Sequence, residues 1–167
     1  ETGCLYLLPG IQEHPVINLY HMSSLNTADI DGDSDTDILS GESVLEPRLS
    51  WFENTDGYGF TWIEHDIRTD FHRSRGIAGV DINSNGIADV AGTFTIGGNL
   101  DGCIYWFENE NGTGTTWSTH PIDTCDGAMG SLAAGDVDGD GFPDLTIAYE
   151  WECIRIYRNT TGTGLYW

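Results

Sequence analysis

Three nine-residue runs carry oxygen-bearing side chains at a spacing that suits a hard cation. Asp29, Asp31, Asp33 and Asp37 occupy positions 1, 3, 5 and 9 of the first run, and Asp136, Asp138, Asp140 and Asp144 occupy the same positions of the third. The second keeps the frame with Asp81, Asn83, Asn85 and Asp89, so amide oxygens replace two of the carboxylates. On a tight turn the odd-numbered side chains point inward, and position 7 can add a backbone carbonyl. Such a set approaches the 6–8 oxygens that Ca²⁺ takes. Mg²⁺ fits less well because it keeps its water and rarely uses an all-protein cage. Fewer charges predict that the second loop binds Ca²⁺ most weakly. Position 12 is Ser40, Gly92 or Ile147, so the bidentate Glu of an EF-hand is missing, and the flanking sequence reads as strand rather than helix.

The loops account for much of an extreme charge. The 167 residues carry 27 Asp and Glu against 6 Lys and Arg, a formal net charge of −21. Eleven of the 27 acids fall in the three loops, too concentrated for a generally solvated acidic face. Such a chain repels phosphate backbones and anionic membranes, which excludes nucleic-acid binding and membrane insertion as expected roles. With 39% hydrophobic and 11% aromatic residues it has enough apolar surface to offset chain entropy and fold. No run approaches the roughly 18 consecutive apolar residues of a membrane span.

The loops are positioned by a repeat. Their starts at Asp29, Asp81 and Asp136 are matched by an aromatic segment at Trp51, Trp106 and Ile156, and by a later tryptophan at Trp62, Trp117 and Trp167. A period of about 50 residues is that of propellers or arrays. A histidine recurs at His14, His65 and His120, and this places residues 4–20 in the second half of an earlier unit. The expected organisation, within one domain, is a half repeat over 1–22 and repeats over 23–67, 68–122 and 123–167, the last strand incomplete. Short segments rich in Ile, Val, Thr and aromatics, bounded by Gly, Asn and Asp, predict four strands per unit. In the first unit these are about Ser24–Asp29, Thr36–Gly41, Leu49–Glu53 and Phe60–Asp66, and the acidic loop joins the first two. The predicted fold is all-β: a β-propeller-like array of four-stranded antiparallel blades, about three and a half repeats. Trp51, Phe52, Trp106 and Phe107 are then expected in the core between blades. The histidines, recurring at one point of strand four, are expected to make structural hydrogen bonds.

The loops, the "WFEN" segments and the period together resemble the FG-GAP or VCBS repeats of integrin α-subunit propellers and bacterial surface proteins. The resemblance covers nearly the whole chain from Asp29 onward. It implies Ca²⁺ held between strands one and two of each blade, about three ions in all. Carried over by position, the ligands are Asp29, Asp31, Asp33 and Asp37; Asp81, Asn83, Asn85 and Asp89; and Asp136, Asp138, Asp140 and Asp144. Asp35, Ile87 and Phe142 at position 7 would give their carbonyls. It also implies adhesion, or recognition of a protein or glycan. Three and a half units fall short of the 4–8 blades of known propellers. The missing blades are expected from the rest of a longer propeller, or from other copies of this chain in a closed ring or head-to-tail filament.

Four cysteines in a calcium-dependent chain fit an oxidising, extracellular setting. Cys103 is expected just before strand three and Cys125 just after strand four, on one rim of the sheet, which favours a Cys103–Cys125 disulfide. Cys4 and Cys153 are then left to pair within the chain or between copies. Asn111 and Asn159 begin glycosylation-acceptor triplets. No residue is singled out as catalytic, and the chain is expected not to be an enzyme. A carbohydrate-binding propeller would expose Trp62, Trp117 or Tyr58. An accessory domain of a secreted enzyme would use a polar cluster such as Asp70–Gly76, where His72, Arg73 and Arg75 follow Arg68.

Overall fold

The fold is given by a computed structural model, which describes residues 16, 22–42, 48–70, 72–96, 101–125, 129–149 and 153–167. Every element in them is a β-strand. Met22–Ala28 (β1), Asp37–Glu42 (β2), Leu49–Asn54 (β3) and Trp62–Arg68 (β4) form one sheet in that order. His72–Val80 (β5), Asp89–Ile96 (β6), Asp101–Asn109 (β7) and Trp117–Cys125 (β8) form the second. Met129–Gly135 (β9), Asp144–Tyr149 (β10) and Ile154–Tyr157 (β11) form the third. All neighbours are antiparallel. The described sheets do not close into a ring. Among the described residues no helix is long and apolar enough to cross a membrane. The half repeat expected over 1–22, with His14 and Cys4, lies almost wholly outside the described residues.

The first strands pack side by side, β1 on β5 and β5 on β9. Small residues make this approach possible. A Cβ on Gly76 would meet the backbone nitrogen of Leu132 at 2.4 Å, and one on Gly79 would meet the Ala28 methyl at 2.5 Å. Strand alternation then sends one side of each sheet into the core before it and the other into the core after it. Leu39, Leu49 and Trp51 of the first sheet meet Ile77, Val90, Phe94 and Phe107 of the second. Ile104 and Trp106, from the opposite side of the second sheet, meet Met129, Leu145 and Ile147 of the third. Trp51, Phe52, Trp106 and Phe107 are all buried, as core residues. His65 stacks on Trp51 and bonds Glu53 (2.8 Å), and His120 stacks on Trp106 and bonds Glu108 (2.9 Å).

Several local expectations shift. Strand four of the first unit begins at Trp62, not Phe60, because the preceding turn runs longer. Asn54 Oδ1 accepts from the Gly59 N–H, and Asp56 Oδ1 accepts from the Tyr58 and Phe60 N–H groups, which holds 54–60 in a loop. Strand one begins at Met22, two residues before Ser24. Cys103 lies inside β7 and Cys125 ends β8. Cys103 pairs with Thr124 and Cys125 with Gly102, so the two cysteine positions are one residue out of register. Cys103 Sγ lies 3.6 Å from the Phe94 carbonyl oxygen, and Cys153 is exposed. The side chains of Cys125 and Cys4 lie outside the described residues.

Candidate metal centres

Each acidic loop joins the first and second strands of its sheet, as expected: 29–36 between β1 and β2, 81–88 between β5 and β6, and 136–143 between β9 and β10. Loops one and three share one hydrogen-bond scheme, and loop two departs from it at one donor to position 1. The position 1 carboxylate accepts backbone N–H groups from inside the turn: Gly32 (2.8 Å) and Ser34 (3.0 Å) on Asp29, Asn85 (3.0 Å) and Gly86 (2.8 Å) on Asp81, Gly139 (2.7 Å) and Gly141 (3.0 Å) on Asp136. Side chains at positions 3 and 5 each accept the N–H two residues on. Asp31 takes that of Asp33, Asn83 that of Asn85, and Asp138 that of Asp140. Asp33 takes that of Asp35, Asn85 that of Ile87, and Asp140 that of Phe142. Each such Asx turn fixes its side chain by a local bond.

Position 9 differs: Asp37, Asp89 and Asp144 are buried. Each takes the N–H of position 2 on one oxygen: Ile30 to Asp37 (2.8 Å), Ile82 to Asp89 (3.2 Å), Val137 to Asp144 (3.0 Å). The other oxygen takes the N–H of an asparagine that follows the aromatic segment: Asn54 (3.0 Å), Asn109 (2.9 Å) and Asn159 (3.0 Å). Burial pushes the Asp89 carboxyl up to about 6 against these N–H donors. Burial also raises Asp31 and Asp37, with like charge from neighbouring acids adding to it. Desolvation and like charge both disfavour the ionised carboxylate. Ligand oxygens of Asp29, Asp31 and Asp37 lie within 4.8 Å of one another, as do those of Asp136, Asp138 and Asp144. Converging hard oxygens on side chains tethered by backbone N–H groups fit Ca²⁺.

Residues 94–147 match the family model of the FG-GAP-like repeat. The FG-GAP-like segment runs from within β6 to within β10, so it contains the third loop, while the first two lie before it and share its geometry. No curated protein gives a significant match to the chain.

One position beside the loops varies between sheets in a way the sequence reading missed. Glu53, Glu108 and Arg158 follow the aromatic segment at equivalent places. Glu108 Oε1 accepts from Asn83 Nδ2 at position 3 (2.9 Å), whereas Arg158 Nε donates to Asp138 Oδ2 at position 3 (2.7 Å). The third loop therefore carries its own counter-charge. A glutamate-to-arginine change at a fixed repeat position was the available signal.

Other candidates separate. Asn159 is fully buried with Nδ2 donating to the Ile82 carbonyl (2.8 Å), so in the folded chain it cannot carry a glycan; this corrects the sequence expectation. Asn111 is exposed. Trp62 and Trp117 are half-buried with their indole N–H groups bonded to Gly59 and Gly114 carbonyls, and only Tyr58 of the expected sugar-stacking set is exposed. In the basic cluster, Arg68 pairs with Asp70 and donates to Thr119 Oγ1 (2.8 Å), so it is an ion-paired strand end. The side chain of His72 lies outside the described residues.

Proposed function

We propose that the protein is an extracellular calcium-binding repeat module in which about three ions stiffen stacked sheets for adhesion or self-assembly. The observation that carries this reading is the convergence of carboxylate oxygens at positions 1, 3 and 9 of loops one and three, on turns held by hydrogen bonds that loop two largely repeats. The FG-GAP-like match supports a propeller-type module and, through that family, an extracellular setting. Calcium is structural here, since it binds the folded loops and hardly the unfolded chain. Among the described residues, Met22 and Leu25 on the first sheet and Val137, Ile154 and Ile156 on the third are exposed apolar residues, a surface that further sheets, of a longer chain or of another copy, would cover.

Titration calorimetry of chelator-treated protein tests the reading. About three Ca²⁺ ions are expected, with loop two weakest for want of carboxylates and loop one tightest because Glu53 adds charge where Arg158 removes it. Binding of no ion, or three sites of equal affinity, would count against the module or the ranking respectively.

A further inference from the structure

The asparagine that ends each aromatic segment does more than hold its own loop. Asn109 gives its backbone N–H to Asp89 of its own sheet, and its Nδ2 donates to the carbonyl of Ile30, position 2 of the preceding loop, at 2.8 Å. Asn159 repeats this one sheet on: its N–H goes to Asp144 and its Nδ2 to the Ile82 carbonyl at 2.8 Å. Both asparagines are fully buried. Ile30 and Ile82 each spend their two backbone groups in opposite directions, the N–H on the position 9 aspartate of their own loop and the carbonyl on the next sheet's asparagine. The result is an unbroken buried line. It runs from Asp37 through residue 30 and Asn109 to Asp89, then through residue 82 and Asn159 to Asp144.

Asn109 Oδ1 also accepts the Gly114 N–H, and Asn159 Oδ1 that of Gly164, so each amide is held at both ends and cannot rotate without breaking a bond. We propose that Asn109 and Asn159 are positioning residues through which the three loops fill co-operatively, each filled loop raising the affinity of the next. The proposal rests on the calcium reading above. A metal in loop one fixes residue 30, residue 30 fixes the Asn109 amide, and the Asn109 N–H then holds a position 9 ligand of loop two in place. The ordering cost of the second loop is thus partly met by the first, and the coupling is reciprocal.

Calcium titration followed by the amide resonances of Gly32, Gly86 and Gly141, one in each loop, tests this in the full chain. Loop one is disabled by Asp31→Ala with Asp33→Ala, both outside the buried line. The Gly86 midpoint is expected to move to about 5–10-fold higher Ca²⁺, the lower part of the usual range of coupling. With Asn109→Ala in addition, disabling loop one no longer moves it. If Asn109→Ala fails to fold, Asp138→Ala with Asp140→Ala disables loop three instead and must raise the Gly86 midpoint through the intact Asn159. A Gly86 midpoint indifferent to both neighbours overturns the coupling, as does a dependence on loop one that survives Asn109→Ala. If none of the three amides responds up to ~10 mM Ca²⁺, above the usual range for extracellular modules, it is the calcium reading that fails, and the coupling with it.

Discussion

Positions 4 and 6 of every loop adopt left-handed backbone: φ is +78° at Gly32, +76° at Ser34, +61° at Ser84, +86° at Gly86, +82° at Gly139 and +93° at Gly141. Left-handed residues on either side of position 5 let the position 1 carboxylate collect N–H groups from within the turn. Glycine takes this conformation without penalty, while a residue with a Cβ costs roughly 1–2 kcal/mol there. Loops one and two each store one such strain in a serine, and loop three stores none. Ser84→Gly is therefore expected to stabilise the protein by about 0.5–1 kcal/mol, the relief of strain less the extra freedom glycine has in the unfolded chain. A higher urea midpoint at unchanged slope would report it; a lower midpoint would mean that the Ser84 side chain does something the hydrogen bonds do not reveal. The turn that positions 1, 3 and 5 make in each loop was legible in the sequence because its hydrogen bonds join neighbours two to five residues apart. Asn159 was read wrongly for the opposite reason. Its partner is Ile82, 77 residues away, and a local acceptor triplet says nothing about so distant a contact.

At the scale of elements, the turn between the third and fourth strands has its own recurring form: Asn54, Gly57, Gly59 and Trp62, then Asn109, Gly112, Gly114 and Trp117, then Asn159, Gly162, Gly164 and Trp167. The turn of one sheet lies over the acidic loop of the sheet before it. A Cβ on Gly114 would fall 2.5 Å from the Trp51 ring and 2.9 Å from Ile30, and one on Gly164 would fall 2.5 Å from Trp106 and 2.7 Å from Ile82. Trp51 Nε1 donates to the Gly114 carbonyl (3.1 Å), which fixes the same approach. Gly114→Ala should therefore cost about 2–4 kcal/mol, from overpacking and the left-handed φ of +64° together. Gly59→Ala is the control: its φ is +79°, but among the described residues a Cβ there meets only Trp62, at 3.6 Å, so about 1–2 kcal/mol is expected. Equal losses in urea unfolding would refute the idea that Gly114 is required by a neighbouring sheet. The period and the order of strands were legible because each strand carries its own alternation. The spacing of glycines was visible too, but its meaning was not, since the atoms that require Gly114 lie on another sheet.

Across the whole molecule, the loops differ in how far they are covered. Ile30 and Ile82 at position 2 are 0% exposed beneath the next sheet's turn, whereas Val137 at the same place in the third loop is 52% exposed. Covering makes Ile30 and Ile82 part of the inter-sheet core, so on the proposed calcium reading an ion in either of those loops would stabilise packing as well as the turn. Without metal the same carboxylates oppose the fold. Folded Asp89 holds its proton up to about pH 6, while the unfolded chain loses it near the ordinary value of 3.8. The folded state thus binds more protons across that window, and metal-free stability falls as pH rises from about 4 through about 6. At pH 7 the full net charge of −21 adds self-repulsion. Excess chelator at pH 7 is expected to lower the melting temperature by well over 10 °C, roughly what several kcal/mol produces in a domain of this size. Monovalent salt, which screens long-range repulsion but cannot bridge converging oxygens, is expected to restore only a small part of the loss. An unchanged melt in chelator would refute the structural role of calcium, and full rescue by salt would reduce that role to simple charge neutralisation.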